Sequence, residues 1–324
     1  MRIVKPSATL MKHDCTPYEF IEKVGRTCYK SEDKITEGSA EKFVKGLADR
    51  KHHAMLEHET VYLVVNKAFM EEFVSDLHEE NYPLKFFNIT SKPHIHVISG
   101  SFRSFIDLFT YVRHVYSIEY LEGVLSKEFP LIFSEVEEPL MMRGTWNVKV
   151  YSRNMFIEAL SNDRDTIFKH LTHTFKFVCD RGVTHEFVRH RVASFAQEST
   201  RYCNYVKEKF GNEITVIEPF FYEPNSSAYA LWKTACETSE NCYFALIGGG
   251  STPQEARSVL PNSLKTEIII TATEEEWQHI VNLRYIGTTG APHPQIKEVM
   301  RFAIPDLILE SNGRINLDKE NINE

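Results

Sequence analysis

The 324-residue chain reads as an α+β protein, and three observations predict that class. Runs rich in β-branched and aromatic residues occur at 61–65, 173–178 and 265–271, a composition that suits strands. Helix-start signatures of the form Thr-x-x-Glu open 252–255 and 273–276. The two kinds of segment are mixed without strict strand–helix alternation, which favours α+β over α/β. At 42% hydrophobic residues the chain can bury a large core, in one elaborate domain or two modest ones.

Residues 39–56 place Phe43, Leu47 and Met55 among charges at roughly helical spacing, predicting a helix before the strand at 61–65. The stretch 66–168 combines a strand-like piece at 95–98, amphipathic pieces near 102–126 and a mixed aromatic segment beyond them. Residues 173–178 alternate like a half-buried strand, and Asp180 is placed to cap a helix carrying Val183, Phe187 and Val188. Residues 214–217 read as a strand and 227–247 as a helix ended by Gly248, Gly249 and Gly250. The Thr252 box has Pro253 at the first helical position, so Arg257 falls within two turns of a short helix stopped by Pro261. Residues 265–271 form a strand, and the Thr273 box opens a helix through Arg284. No repeat, low-complexity tract or Gly/Ser linker marks a boundary.

A formal charge of −8 and a pI near 6.0 give no global attraction to nucleic acid or anionic lipid. An anionic partner has to be bound locally. The six cysteines (Cys15, Cys28, Cys179, Cys203, Cys236, Cys242) lack CxxC spacing, which argues against a zinc knuckle or a disulfide framework and fits a reducing compartment. No apolar run approaches the ~20 residues needed to span a bilayer, and the first residues do not resemble a signal peptide. A cytoplasmic protein without membrane or nucleic-acid partners is expected.

Arg189-His190-Arg191 is followed, after seven intervening residues, by Ser199. At the end of the helix begun after Asp180, such cations would gain ~0.3–1 kcal/mol from the macrodipole. That accounts for one or two of them. The next residues add Ser194, Gln197, Ser199, Thr200 and Arg201, a dense set of donors. Arginine forks bind phosphate bidentately, and neighbouring hydroxyls complete such a cage. Residue chemistry leaves two readings, an anion site and a solvated charged loop.

The Arg-His-Arg-x7-Ser pattern closed by Arg201-Tyr202 resembles the motif of the flavin-dependent thymidylate synthases. Arg26-Thr27-Cys28-Tyr29 and the segment 52–58 resemble that family's flavin-contacting N-terminal parts, while Arg257 and the run 277–284 match in type and spacing. Similarity covers about 20–65 and 170–305. The resemblance implies a mixed or antiparallel central sheet flanked by helices, in one catalytic domain over 1–324 with 66–168 inserted. It implies FAD contacts from Cys28, His52, Glu57, Arg189, His190, Arg191, Thr273, Glu275 and His279. For dUMP it implies Arg189, Gln197, Glu198, Ser199, Thr200, Arg201, Arg257 and Arg284, with Arg257 and Arg284 contributed by a neighbouring subunit of a homotetramer.

Arg284 and Ser199 are the implied catalytic residues. A guanidinium at the uracil N3/O4 edge would favour the anionic ring whose C5 is nucleophilic. Ser199 would act as a phosphate or uracil donor, since no His-Asp pair beside it is evident. Methylenetetrahydrofolate is the implied carbon donor and NADPH the reductant of FAD, with dTMP the product. Ala196 stands where the family usually has Asn, Gln197 where it often has Glu, and Thr273 and Glu275 where many members have Asn and Arg. Glu186 replaces a frequent Gln and is placed to neutralise an arginine.

Two rival readings use the same residues. His52, His53 and His58, or His185 with His190, could mark a metal hydrolase, but H-E-x-x-H is absent and no metal is expected. Arg181, Arg189, Arg191 and Arg201 with Phe187, Phe195, Tyr202 and Tyr205 could form an RNA- or nucleotide-binding surface, against which the net charge weighs. Cys203 is read as a packing residue, because the Pro-Cys-Gln of the folate-only synthase class is missing.

Overall fold

The computed structural model describes residues 1–133, 145–199, 205 and 211–318. The chain divides into two compact units, one made of Met1–Lys12, Gly25–Asp33 and the chain from His173 onward, the other of His13–Val24 and Lys34–Thr172. Residues 66–168 lie wholly inside the second unit, sharing it with 34–65.

In chain order, β1 (Arg2–Val4) and β2 (Ser7–Leu10) come first. Helix α1 (Pro17–Tyr29) opens with a capping box: the Thr16 amide donates to Glu19 Oε2 at 2.8 Å and the Glu19 amide to Thr16 Oγ1 at 3.3 Å. Helix α2 (Ser39–Asp49) buries Ala40, Val44 and Leu47. It stops earlier than the spacing through Met55 predicted: Lys51 turns into the left-handed region at φ 54, and His53–His58 form a separate 3-10 turn.

The second unit then builds its sheet from β3 (Thr60–Val65), β4 (Asn88–Lys92), β5 (Ile95–Ser101) and β6 (Val148–Tyr151), in the order β4-β5-β3-β6 and antiparallel throughout. Besides α2 and the first part of α1, its helices are α3 (Lys67–Glu79), α4 (Phe102–Tyr111), α5 (Tyr116–Glu128), α6 (Arg153–Ala159) and α7 (Arg164–His170). Side-chain caps fix four of these starts, from Asn66, Ser101, Ser152 and Asp163. The interior is aromatic: Phe69, Phe73, Phe87, Phe102, Phe105 and Phe109 are all buried. Edge-on and tilted rings pack this core, as with Phe102 against Phe129 at 4.7 Å and Phe87 against Phe105 at 5.0 Å.

The first unit resumes with β7 (Thr172–Asp180), α8 (Arg181–Phe187), β8 (Ser194–Gln197), β9 (Thr215–Ile217), α9 (Ser227–Gly248), α10 (Pro253–Ala256), β10 (Lys265–Thr273), α11 (Glu274–Val281) and α12 (Pro294–Glu310). Its sheet runs β2-β7-β10-β8, and β1 pairs in parallel with β9. The mixed and antiparallel sheet character expected from sequence is found, with a four-stranded sheet in each unit.

Strand β7 departs from the half-buried expectation, since Thr172, His173, Thr174 and Phe175 are buried in succession. It is an inner strand, between β2 and β10. Helix α11 ends at Val281, and Arg284 sits in a π-helical turn, Asn282–Ile286, closed by Gly287 at φ 79. A Cβ at Gly287 would stand 2.8 Å from Pro292, so both backbone and space require glycine. Among the described residues no helix is long and apolar enough to cross a membrane.

At Gly100, in β5, an added Cβ would lie 2.7 Å from Phe87 Cδ1, a ring packed on Phe105. Gly100→Ala is expected to cost roughly 1–3 kcal/mol through overpacking. A urea midpoint shift, partly restored by Phe87→Leu in the same chain, checks it; an unshifted midpoint would mean that the ring yields.

Candidate active site

The site is built at the end of α8 and the start of α11, both within the first unit. Asp180 caps α8 by accepting from the Val183 amide at 2.8 Å, and its other oxygen accepts from Gln295 Nε2 at 2.8 Å. This expected cap is found. Val188 is exposed and ends the helix, so Arg189, His190 and Arg191 follow it in a turn.

The three residues of that turn divide by burial. Arg189 and Arg191 are exposed, whereas His190 is 4% exposed. His190 lies in a four-residue chain of polar contacts. Arg284 Nε donates to His190 Nε2 at 3.1 Å, and His190 Nδ1 is 3.1 Å from Glu276 Oε1. Arg284 Nη1 donates to Glu186 Oε2 at 3.0 Å and Nη2 to the Glu186 carbonyl at 3.1 Å.

These contacts fix the imidazole tautomer. A guanidinium only donates, so His190 Nε2 must carry a lone pair and Nδ1 the proton, which it gives to Glu276. His190 is therefore neutral in this arrangement. Three of the five N–H groups of Arg284 are used within the described residues, and the guanidinium is held in one orientation. The expectation that Glu186 neutralises an arginine is met, and the arginine is Arg284.

Glu276 explains the altered start of α11. In a complete capping box it would reach back to the Thr273 amide. The Thr273 hydroxyl does accept from the Glu276 amide at 3.2 Å, but the Glu276 carboxylate turns to His190. One turn of helix thus carries both the cap and the histidine's partner. Its neighbour Glu274 is buried, with Oε1 2.9 Å from His173 Nε2 and both oxygens taking Arg314 N–H groups at 2.6 and 2.9 Å. Burial would raise the Glu274 carboxyl, but Arg314 and His173 outweigh it and hold it below its ordinary value.

The other expected site residues are distributed as follows. Gln197 Nε2 donates to the hydroxyls of Thr184 at 3.2 Å and Thr266 at 3.3 Å. Glu198 is buried, 3.2 Å from Lys265 Nζ and 3.8 Å from Lys30 Nζ, and its amide donates to the Glu267 carbonyl. Its carboxylate is thus already matched by ammonium groups rather than turned toward an anion. Ser199 is partly buried beyond the end of β8. Thr200, Arg201, Tyr202 and Cys203 lie outside the described residues. Arg257 is exposed just after α10, whose capping box is present as expected. Thr273 is the α11 cap, Glu275 is exposed in the first turn, and His279 is exposed with its ring 5.5 Å from that of His190.

Cys28 is enclosed, and burial pushes its thiol up to about 12. His52 and Glu57 belong to the second unit, where Glu57 accepts from Arg103 Nη1 at 2.5 Å. Among the described residues His52, His53 and His58 form no metal-ligand grouping. His190, Glu276 and His279 do bring three ligating atoms within 4.8 Å of one another. Both nitrogens of His190 are already hydrogen-bonded there. Sequence reasoning missed Glu276, Glu274, His173 and Arg314. The surplus of acids in 273–276, beyond what a box uses, was the one signal available.

The profile of the family described as thymidylate synthase complementing protein matches residues 136–305, which is more than half of the chain. The chain belongs to that family. A relative from Pyrococcus furiosus named flavin-dependent thymidylate synthase is 34% identical over 149 residues, covering 44% of this chain and 60% of its own. One of the same name from Geobacter sulfurreducens is 29% identical over 128 residues, covering 39% and 53%. The chain thus spans between about half and 60% of the length of the curated relatives it matches. A crystal structure of the UMP/dUMP methylase PolB from Streptomyces cacaoi bound with 5-Br dUMP aligns over 95% of this chain and 93% of its own, at 13% identity and TM-score 0.40. That likeness is too distant to place any residue.

The lysine–glutamate cluster beside β8 gives a pH prediction. Burial would raise Glu267, but Lys265 at 2.5 Å and Lys30 at 2.5 Å outweigh it and hold the carboxyl at about 2. A depressed carboxyl stabilises the fold above its unfolded value, and that stability is lost as pH falls from about 4.5 to about 2. Glu267→Gln should lower the urea midpoint at neutral pH and flatten its fall across that window. A pH profile parallel to wild type would contradict the assignment.

Proposed function

We propose that this protein is an FAD-dependent thymidylate synthase that converts dUMP to dTMP, with methylenetetrahydrofolate as carbon donor and NADPH as reductant, and that it works as a homotetramer. The observation that carries the reading is the fixed Arg284 guanidinium, held by neutral His190 and by Glu186 beside the Arg189–Arg191 turn. Family membership and the names of the relatives support it.

The residues present fit a flavin dinucleotide. Arg189 and Arg191 present exposed guanidiniums on either side of a buried imidazole, an arrangement suited to a diphosphate. The exposed ring of His279 offers a hydrogen bond and a flat surface. The family resemblance adds the Thr273 hydroxyl, Glu275, Cys28, His52 and Glu57 to the proposed flavin contacts. When bound, FAD supplies the hydride.

Arg284 is proposed to act on the pyrimidine. A guanidinium pinned by three hydrogen bonds needs little reorganisation as negative charge grows on the uracil edge, which is the condition for effective electrostatic stabilisation. Neutral His190 adds no cation of its own to its contact with Arg284, whose charge is partly offset by Glu186. Gln197, Ser199, Thr200, Arg201 and Arg189 are proposed to hold the nucleotide, Glu198 to support them through Lys265 and Lys30 rather than by touching it, and Arg257 and Arg284 both to reach the nucleotide of a neighbouring protomer. Sedimentation of the purified protein tests the tetramer.

Arg284→Ala should keep the yellow flavin spectrum while tritium release from C5-labelled dUMP, assayed with folate and NADPH, falls by roughly 10²-fold or more. Wild-type release would remove the assigned role. A colourless wild-type protein carrying zinc would point instead to the His190, Glu276 and His279 grouping.

A further inference from the structure

Glu276 belongs to neither the flavin contacts nor the nucleotide contacts proposed above, yet it touches the residue that holds Arg284. Its side chain is only 13% exposed, so water competes little for its carboxylate, and Oε1 lies 3.1 Å from Nδ1 of the buried His190. The backbone fixes where that imidazole is rooted: the His190 amide donates to the Phe187 carbonyl and its carbonyl accepts from the Ala193 amide, both at 3.1 Å. Neither bond decides which ring nitrogen carries the proton.

A neutral imidazole has one N–H and one lone pair, and the hydrogen bond made by one nitrogen sets the role of the other. Arg284 Nε donates to Nε2 at 3.1 Å and needs the lone pair there. The Glu276 carboxylate only accepts, so it needs the proton on Nδ1. The two demands agree. Among the described residues Glu276 is the one acceptor for Nδ1; the His279 ring stands edge-on at 5.5 Å without a hydrogen bond to it. Without that acceptor the opposite tautomer becomes accessible, and its Nε2–H would be set against the Arg284 N–H. Arg284 would then keep only Glu186, through Oε2 at 3.0 Å and the carbonyl at 3.1 Å.

The place of Glu276 is settled within the protein, before any ligand binds. Its amide donates to the Thr273 hydroxyl at 3.2 Å. On one side stands Glu274, tied to His173 and Arg314, and on the other Trp277, whose indole N–H donates to the His173 carbonyl.

We propose that Glu276 is a positioning residue of the pyrimidine site: by accepting the Nδ1 proton of His190 it keeps the Nε2 lone pair turned to Arg284 and so aims that guanidinium. This role rests on the one proposed for Arg284 in dUMP methylation and extends it by one residue. Uracil is uncharged when it binds and gains negative charge as C5 becomes nucleophilic, so a misaimed Arg284 lowers kcat more than it raises KM.

The test uses the full chain as purified, with Glu276→Gln and Glu276→Leu. Glutamine is uncharged but keeps an acceptor oxygen at the same reach; leucine keeps most of the bulk and removes it. In the histidine ring-nitrogen NMR spectrum, with His190 assigned by the signals missing from His190→Gln, wild type and Glu276→Gln should show the Nδ1–H tautomer and Glu276→Leu should lose it. Tritium release from dUMP should show kcat at least tenfold lower in Glu276→Leu, with KM changed by less than threefold and the flavin spectrum kept. Glu276→Gln should return kcat to within threefold of wild type. A residue that only stabilised α11 would lower the urea midpoint without moving the tautomer.

The inference is overturned if wild-type His190 carries its proton on Nε2, if a folded Glu276→Leu keeps the tautomer or the wild-type kcat, if KM rises in place of the fall in kcat, or if Glu276→Gln loses as much as Glu276→Leu. The wild-type tautomer and the glutamine variant decide the matter even where the leucine variant does not fold. The spectrum is read without turnover, which separates the two readings. A wild-type chain with the Nδ1–H tautomer and no tritium release would count against the synthase; release with the opposite tautomer would count against Glu276 alone.

Discussion

A fully buried carboxylate has to be matched, and in the first unit that requirement falls on Glu274. An isolated ionised carboxylate in an apolar interior is not tolerated, so its partners are fixed with it. They are His173 on β7 and Arg314 beyond α12, which means that one side chain ties the inner strand, the first turn of α11 and the C-terminal segment together. Trp277, fully buried one turn later, donates its indole N–H to the His173 carbonyl at 2.9 Å and closes the same junction. Once α11 is seated in this way, Glu276 has a determined place, and so does His190. The ordering of the site is therefore a consequence of core electrostatics rather than of the loop that carries the arginines.

That dependence explains how a conspicuous sequence motif can mislead about charge. Arg189-His190-Arg191 looks like three adjacent cations, yet the middle member is buried and held neutral by an acceptor role toward Arg284. The turn presents two exposed guanidiniums separated by an imidazole that faces inward. The third cation of the site comes from a π-helical turn almost a hundred residues later in sequence. Irregular turns of this kind occur frequently at functional sites, and here the irregularity sets Arg284 against His190 and Glu186.

Much of this was legible before the structure, and the legible parts share a cause. The strands at 61–65, 95–98, 214–217 and 265–271, the helix ending at Gly248 and the caps at Asp180 and Thr252 are written in local chemistry, where propensity and a single hydrogen bond decide. The box at Thr16 carried the same signal as that at Thr252 and went unread, although the two have the same Thr-Pro-x-Glu form. The burial of β7 was not readable, because neighbours on both faces come from distant sequence. Nor was the redirection of Glu276, since the box and the His190 contact use the same carboxylate and only tertiary structure chooses between them. In 66–168 the dense phenylalanines blur the difference between strand and helix periods, and the aromatic core becomes evident only when the rings are seen to meet.

The choice of Glu186 has a cost as well as a use. A neutral amide at this position could accept from Arg284 and hold its orientation, leaving the full positive charge to act on a ligand. A carboxylate binds the guanidinium more strongly and also cancels part of its field. Both side chains retain some solvent exposure, so screening limits the cancellation without removing it. An anionic ring approaching Arg284 therefore meets a cation already shared, and its binding must compete with Glu186 for the same charge. What is gained is geometric: the remaining N–H groups point in a fixed direction before any ligand arrives. Rigidity is obtained at some expense of field strength, which favours a ligand recognised by hydrogen-bond direction over one recognised by charge alone.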